Sequence, residues 1–166
     1  PLLCQENRGG GVARNAGVAA CRGDYVAFLD QDDLWEPGKL ERQVEVARAH
    51  PESGVIACDG VQFEGDRVLR PRLLHGRLAD RLDASPGGAW SGDAHDALLR
   101  GNAIGTPGQT LIPRAVIDET GPMVEDRGAP YDYDYWLRIA LRRPFTLHRD
   151  RLVRWRYHPT SRSGHE

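Results

Sequence analysis

The chain has 166 residues, 40% of them hydrophobic and 28% charged, with a formal net charge of -2. That length suits one domain able to bury about 70% of its unfolded surface, and the composition excludes collagen, coiled coil and long disorder. A charge so near zero gives no electrostatic case for nucleic acid or an anionic membrane as partner.

Asn7-Arg-Gly-Gly-Gly11 reads as a loop, followed by a helix over 12–20 with Val12, Ala16 and Ala19/Ala20 on one face. After Gly23-Asp24, the continuous apolar run Tyr25-Val-Ala-Phe-Leu29 predicts a strand buried on both faces, ending in Asp30-Gln-Asp-Asp33. Pro37 opens a helix to residue 49 with Leu40, Val44 and Ala47 at i, i+4 and i+7, and Pro51 stops it. Val55–Cys58 is a second strand, with a hairpin over 61–69 beside it. Gly, Pro, Ser and Asp then gather around Ser85-Pro-Gly-Gly88, so 71–92 reads as a long mobile loop. A short helix at 96–100, a strand at 110–112, a helical turn at 114–119 and an amphipathic helix at 131–142 follow, with strands at 145–148 and 152–157. Helix alternating with strand implies one α/β domain over 1–166, its sheet mostly parallel and flanked by helices, with 71–101 a variable region inside it.

The three cysteines, Cys4, Cys21 and Cys58, form no CxxC pair. This argues against a disulfide framework or zinc site and for a reducing, cytoplasmic compartment. The longest clean apolar run, Tyr25–Leu29, is far short of the roughly 20 residues a membrane span needs. No GxGxxG, GxxxxGK[ST] or GxSxG motif is completed.

Asp30-Gln31-Asp32 is the sharpest chemical signal. Residues i and i+2 of an extended chain point the same way, so a strand end presents two carboxylates to one side. Ligands of open α/β sheets bind at such ends. Two carboxylates alone hold a divalent cation loosely, and phosphates of a substrate complete its shell. A bare acidic pair is equally an acidic turn capping the next helix.

The order Asn7-x-Gly, Ala13-Arg-Asn-x-Gly17, Gly23-Asp-Tyr25, an apolar strand, Asp30-x-Asp-Asp33 and Trp35-x-Pro37 resembles glycosyltransferase family 2, whose members share the GT-A nucleotide-sugar fold. Tyr131-Asp-Tyr-Asp-Tyr-Trp-Leu-Arg138 looks like the family's acidic helix and Trp155-Arg-Tyr-His158 like its closing stretch. The resemblance implies an inverting transfer of a sugar from a nucleotide-diphosphate donor to a saccharide, lipid-linked or other hydroxyl acceptor, as in polysaccharide biosynthesis. It implies Mn²⁺ or Mg²⁺ at Asp30, Asp32 and His158, and donor contacts from Arg14, Asp30, Asp32 and Asp33. Asp132 matches the catalytic base, with Asp134 a rival because Tyr131 replaces the usual acidic neighbour. Residues i and i+2 of a helix lie about 200° apart, so only one of the two reaches the site.

Arg14 is otherwise a solvated helix arginine, His158 a surface histidine, Trp90 a loop anchor rather than a sugar platform, and Trp35 packing. Arg138 is placed to pair with Asp134 at i+4. In the family a strand, a helix and an Asp-Asp-Gly-Ser stretch precede the position of Asn7, and the sequence starts at Pro1 without them. The expectation is a GT-A domain lacking its first strand or strands, binding UDP with Mn²⁺ poorly by itself. The rival readings are a non-catalytic domain that binds a nucleotide or protein partner, and a nucleotidyltransferase. Peripheral contact with a membrane is compatible with all of them.

Overall fold

The computed structural model describes residues 2–126 and 128–159. A seven-stranded sheet forms its centre, with the path β1-β6-β3-β7-β2. The strands are β1 (Tyr25–Ala27), β2 (Leu34–Trp35), β3 (Val55–Glu64), β4 (Arg67–Arg70), β5 (Ala89–Gly92), β6 (Thr110–Pro113) and β7 (Phe145–Arg156). The helices are α1 (Gly10–Ala20), α2 (Lys39–Ala49), α3 (Gly76–Asp83), α4 (His95–Leu98), α5 (Arg114–Thr120) and α6 (Tyr131–Ala140).

The α/β architecture with a helix-flanked sheet stands, but the strand directions are more mixed than a mostly parallel sheet. The strands β3 and β7 pair in parallel over nine registers, from Val55 opposite Phe145 to Phe63 opposite Arg156. The crossover through α2 also gives β1 and β3 one direction, yet they are not neighbours. Strand β6 lies antiparallel between them. Hairpin strand β4 and the short β2 and β5 add antiparallel edges. Strand β6 arrives from a long excursion over 71–109 rather than a short crossover helix, so no handedness rule holds it parallel.

That excursion is also where the expected mobile loop is corrected. Leu74, Leu78 and Leu82 recur every four residues and are at most 1% exposed, so α3 buries a continuous stripe. Leu98 and Ile104 join the same core with Trp136, Ile139, Phe145 and Leu147. Trp90 sits on β5, half-buried against this core under the Arg81 guanidinium at 5.3 Å, and so anchors the segment. The two expected C-terminal strands are one, interrupted by a bulge after His148.

On the other side of the sheet, α2 covers Ile56 and Leu111 with Val46 and Ala47. It also buries Lys39, 1% exposed, whose Nζ donates to Gln43 Oε1 at 2.6 Å and lies 4.3 Å from the Trp35 ring centre. Trp35 Nε1 donates to Gly108 O at 3.2 Å, so this tryptophan is packing, as expected. Burial pushes the Lys39 ammonium down to about 8. An unfolded chain keeps that proton to about pH 10.4, so above pH 8 the unfolded state binds more protons and stability rises with pH. Relative to Lys39→Met, the wild type is expected to gain about 2–3 kcal/mol between pH 7.5 and 10 in urea unfolding. Identical pH dependence in the two proteins would remove Lys39 as the cause.

Candidate active site

The acidic motif leaves β1 at the sheet's edge, and α1 faces it across a cleft of about 730 Å³. The cleft is lined by Asn7, Gly9, Gly10 and Arg14 on one side and by Val26 to Asp32 with Tyr131 on the other. The glycine run explains how α1 comes so close. Gly9 takes φ +102° to start the helix, and a Cβ on Gly11 would stand 2.2 Å from the Val124 carbonyl oxygen. With Gly9 and Gly10 in the lining, the positive end of the α1 dipole lies at the cleft, where an anion is favoured.

Arg14 is the central cation of this wall. Its side chain is only 12% exposed. It donates to Asp30 Oδ1 and, through Nη1, to Tyr131 Oη at 2.7 Å. Asn15, one residue on, exchanges two hydrogen bonds with the Met123 backbone, at 2.9 Å each. That clasp holds the 123–125 segment to α1 and was not singled out in the sequence, although Asn15 lies inside the Ala-Arg-Asn motif.

The three aspartates of the motif have different surroundings. Burial raises the Asp30 carboxyl above its ordinary range, opposed by Arg14 and reinforced by the negative charges of Asp32 and Asp132. Asp32 Oδ2 pairs with His158 Nε2 at 2.9 Å. Asp33 is not at the cleft surface: it is 5% exposed, and its carboxylate accepts from Arg156 N at 2.9 Å and from Thr106 Oγ1 at 3.4 Å. Burial pushes its carboxyl up to about 6.

Helix α6 separates the two candidate bases. Asp134 is held by Arg138 Nε at 2.9 Å, the i+4 pair expected from the sequence, while Arg138 also caps Thr120 O and Pro122 O. Asp132 lies in the first turn, its Oδ1 accepting from Tyr133 N at 2.8 Å, and its charge reaches Asp30. Arg14, Asp30, Asp32 and Tyr131 line the cleft; His158 joins them through its bond to Asp32 and Asp132 through its charge on Asp30, while Asp33 and Asp134 are held by Arg156, Thr106 and Arg138.

Among the described residues no three His, Cys, Asp or Glu side chains are grouped to hold a metal ion. Asp30 is turned to Arg14 and His158 to Asp32. The donor set is nonetheless two carboxylates and an imidazole beside a helix start that favours anions. It fits a hard divalent cation that takes its remaining ligands from water and phosphate.

A family model described as glycosyl transferase family 2 matches residues 2–120. Over 92 residues the chain is 54% identical to an uncharacterized glycosyltransferase of Nostoc sp. (strain PCC 7120), covering 53% of this chain and 29% of that protein. It is 47% identical over 60 residues to the succinoglycan biosynthesis protein ExoO of Rhizobium meliloti (strain 1021), covering 36% of this chain and 17% of that protein. The crystal structure of S. aureus TarS 1-349 with UDP-GlcNAc superposes with a TM-score of 0.70 at 14% identity, over 95% of this chain and 42% of that one. That likeness establishes the GT-A fold. The chain spans less than half the length of each of these relatives.

Proposed function

The chain belongs to glycosyl transferase family 2, and on that premise we propose that it forms the catalytic part of an inverting transferase. The reaction moves a sugar from a nucleotide-diphosphate donor to an acceptor hydroxyl. The observation that carries this reading is Asp30 and Asp32 in one cleft whose other wall is a helix start and Arg14, with the charge of Asp132 bearing on Asp30. Like charges gathered at one place call for a cation, and the helix start with Arg14 calls for an anion. A metal–diphosphate pair meets both demands at once.

In this reading Asp30, Asp32 and His158 hold Mn²⁺ or Mg²⁺. A bound cation of this kind supplies Lewis-acid stabilisation of the departing diphosphate. Arg14 and the α1 amides bear on the diphosphate oxygens, which spreads the charge that builds as the glycosidic bond breaks. Asp132 takes the proton of the acceptor hydroxyl as that oxygen attacks the anomeric carbon from the face opposite the leaving group. One displacement with one base inverts the configuration. Tyr131, bonded to Arg14, links the base-bearing helix to the wall that contacts the donor.

Calorimetry on the full-length protein tests the donor half of this reading. UDP is expected to bind only with Mn²⁺ or Mg²⁺ present. Asp30→Asn should weaken that binding by about tenfold or more, the loss of one charged contact. Metal-independent UDP binding with Asp30→Asn unchanged would overturn it.

A further inference from the structure

Phe63, next to last in β3, is 2% exposed, yet what covers its ring is charged. The Arg154 guanidinium lies 4.5 Å and the Arg156 guanidinium 4.6 Å from the ring centre. Among the described residues neither guanidinium has a carboxylate within ion-pair distance. Arg14, Arg42, Arg72, Arg138 and Arg143 each do. Two like charges stacked on one ring repel each other, and their attraction to the ring face offsets that only in part. The pair is also ordered in advance. Arg156 Nε donates to Asp32 O at 2.8 Å, and Arg154 stands opposite Leu34 in the ladder. Exposed Leu34 and Val68 flank the pair, Val68 opposite Phe63. The result is a fixed double cation with an apolar rim, joined through Asp32 to the cleft but outside its lining.

We propose that Arg154 and Arg156 form a subsite for an acid group, phosphate or carboxylate, carried by the acceptor. This rests on the glycosyl-transfer reading for the word acceptor, and not for the anion site itself. Planar guanidinium forks match both anions by paired N–H···O bonds, and stacking on Phe63 removes the ordering cost that surface arginines incur. Arg14 lines the cleft while Arg154 and Arg156 stand outside its lining, so the anion assigned here is distinct from the donor's diphosphate. The acceptor class is then a phosphate-bearing or uronic-acid-bearing saccharide rather than a neutral one.

The test uses the full-length protein saturated with UDP and Mg²⁺, followed by the arginine Nε–Hε NMR signals of residues 154 and 156. Inorganic phosphate or methyl glucuronoside is added as probe. One of the two should shift both signals in the wild type, and the probe that does so names the acid group. The affinity should fall about tenfold or more in Arg154→Gln, stay within about threefold in Arg154→Lys, and weaken with added salt. UDP binding should be equal in wild type and Arg154→Gln. Unmoved arginine signals with both probes would overturn the proposal in the wild type alone, whatever the variants do. So would loss of UDP binding in Arg154→Gln, which would assign the pair to the donor. If the apoprotein binds phosphate through Arg154 but does not bind UDP with metal, the donor reading fails and the anion site stands.

Discussion

In the full-length protein, Asp132→Asn is expected to lower kcat for sugar transfer by about 10²–10⁴-fold, the range a positioned general base contributes, while UDP affinity stays within a factor of about two. The amide keeps the size of the side chain and its bond from Tyr133 N, and loses the lone-pair basicity that takes the acceptor proton. Its charge bears on Asp30, so removing it relieves the upward push on that carboxyl but also takes one negative charge from beside the cation site, two small effects of opposite sign. Asp134→Asn should behave oppositely. It breaks the ion pair with Arg138, costs about 0.5 kcal/mol of stability, and leaves kcat nearly intact. Side-by-side kinetics decide between them. A dead Asp134→Asn with a fully active Asp132→Asn would move the base one half-turn along α6 and refute the assignment.

The choice between those two aspartates shows where sequence reading stops. Their alternation on a helix guarantees that only one reaches the cleft, but the arc each occupies depends on what Arg138 does, and Arg138 is fixed by the carbonyls of Thr120 and Pro122. The same holds for Asp33. Next to Asp32 in the chain, it reads as one more site carboxylate. Its partner is the backbone of Arg156, 123 residues away, and it is the antiparallel pairing of β2 with β7 that brings that amide within reach. Local signals fared better. The apolar run of β1 and the Tyr-Trp-Leu face of α6 are periodicities a chain segment carries by itself, whereas in α2 the expected face is displaced: Leu40 is exposed, and Lys39, Gln43 and Val46 are buried with Ala47 instead. Segment 71–92 carries such a signal in Leu74, Leu78 and Leu82, but in the sequence the turn residues around Ser85 outweigh it and hide α3. The antiparallel place of β6 had no local signal at all, because a four-residue apolar stretch fits either direction.

Loss of the Asp59 carboxylate is expected to destabilise this fold as much as truncating a large core side chain. Asp59 is 4% exposed on β3, and its Oδ1 accepts three backbone N–H groups: Gly60 at 2.8 Å, Leu73 at 2.9 Å and Leu74 at 3.0 Å. Its Oδ2 lies 3.2 Å from Arg72 Nε. Asp59→Ala would leave three buried donors without an acceptor and a half-buried guanidinium without one of its two charges, at about 3–5 kcal/mol. A domain of this size has only about 5–15 kcal/mol in all, so urea unfolding should show a much earlier midpoint. Asp59→Asn keeps a carbonyl oxygen for the three N–H groups but loses the charge and turns its NH2 toward Arg72, so it should cost less than Asp59→Ala. The consequence extends beyond stability. Residues 73 and 74 start the excursion that packs α3 and returns through Thr106, whose hydroxyl donates to Asp33 behind the acidic motif. In Asp59→Ala the 71–106 segment should therefore open to hydrogen exchange before the β3–β7 pair does. An Asp59→Ala protein unfolding within about 1 kcal/mol of wild type, with that segment still protected, would show that the leucine stripe of α3 holds it without the carboxylate.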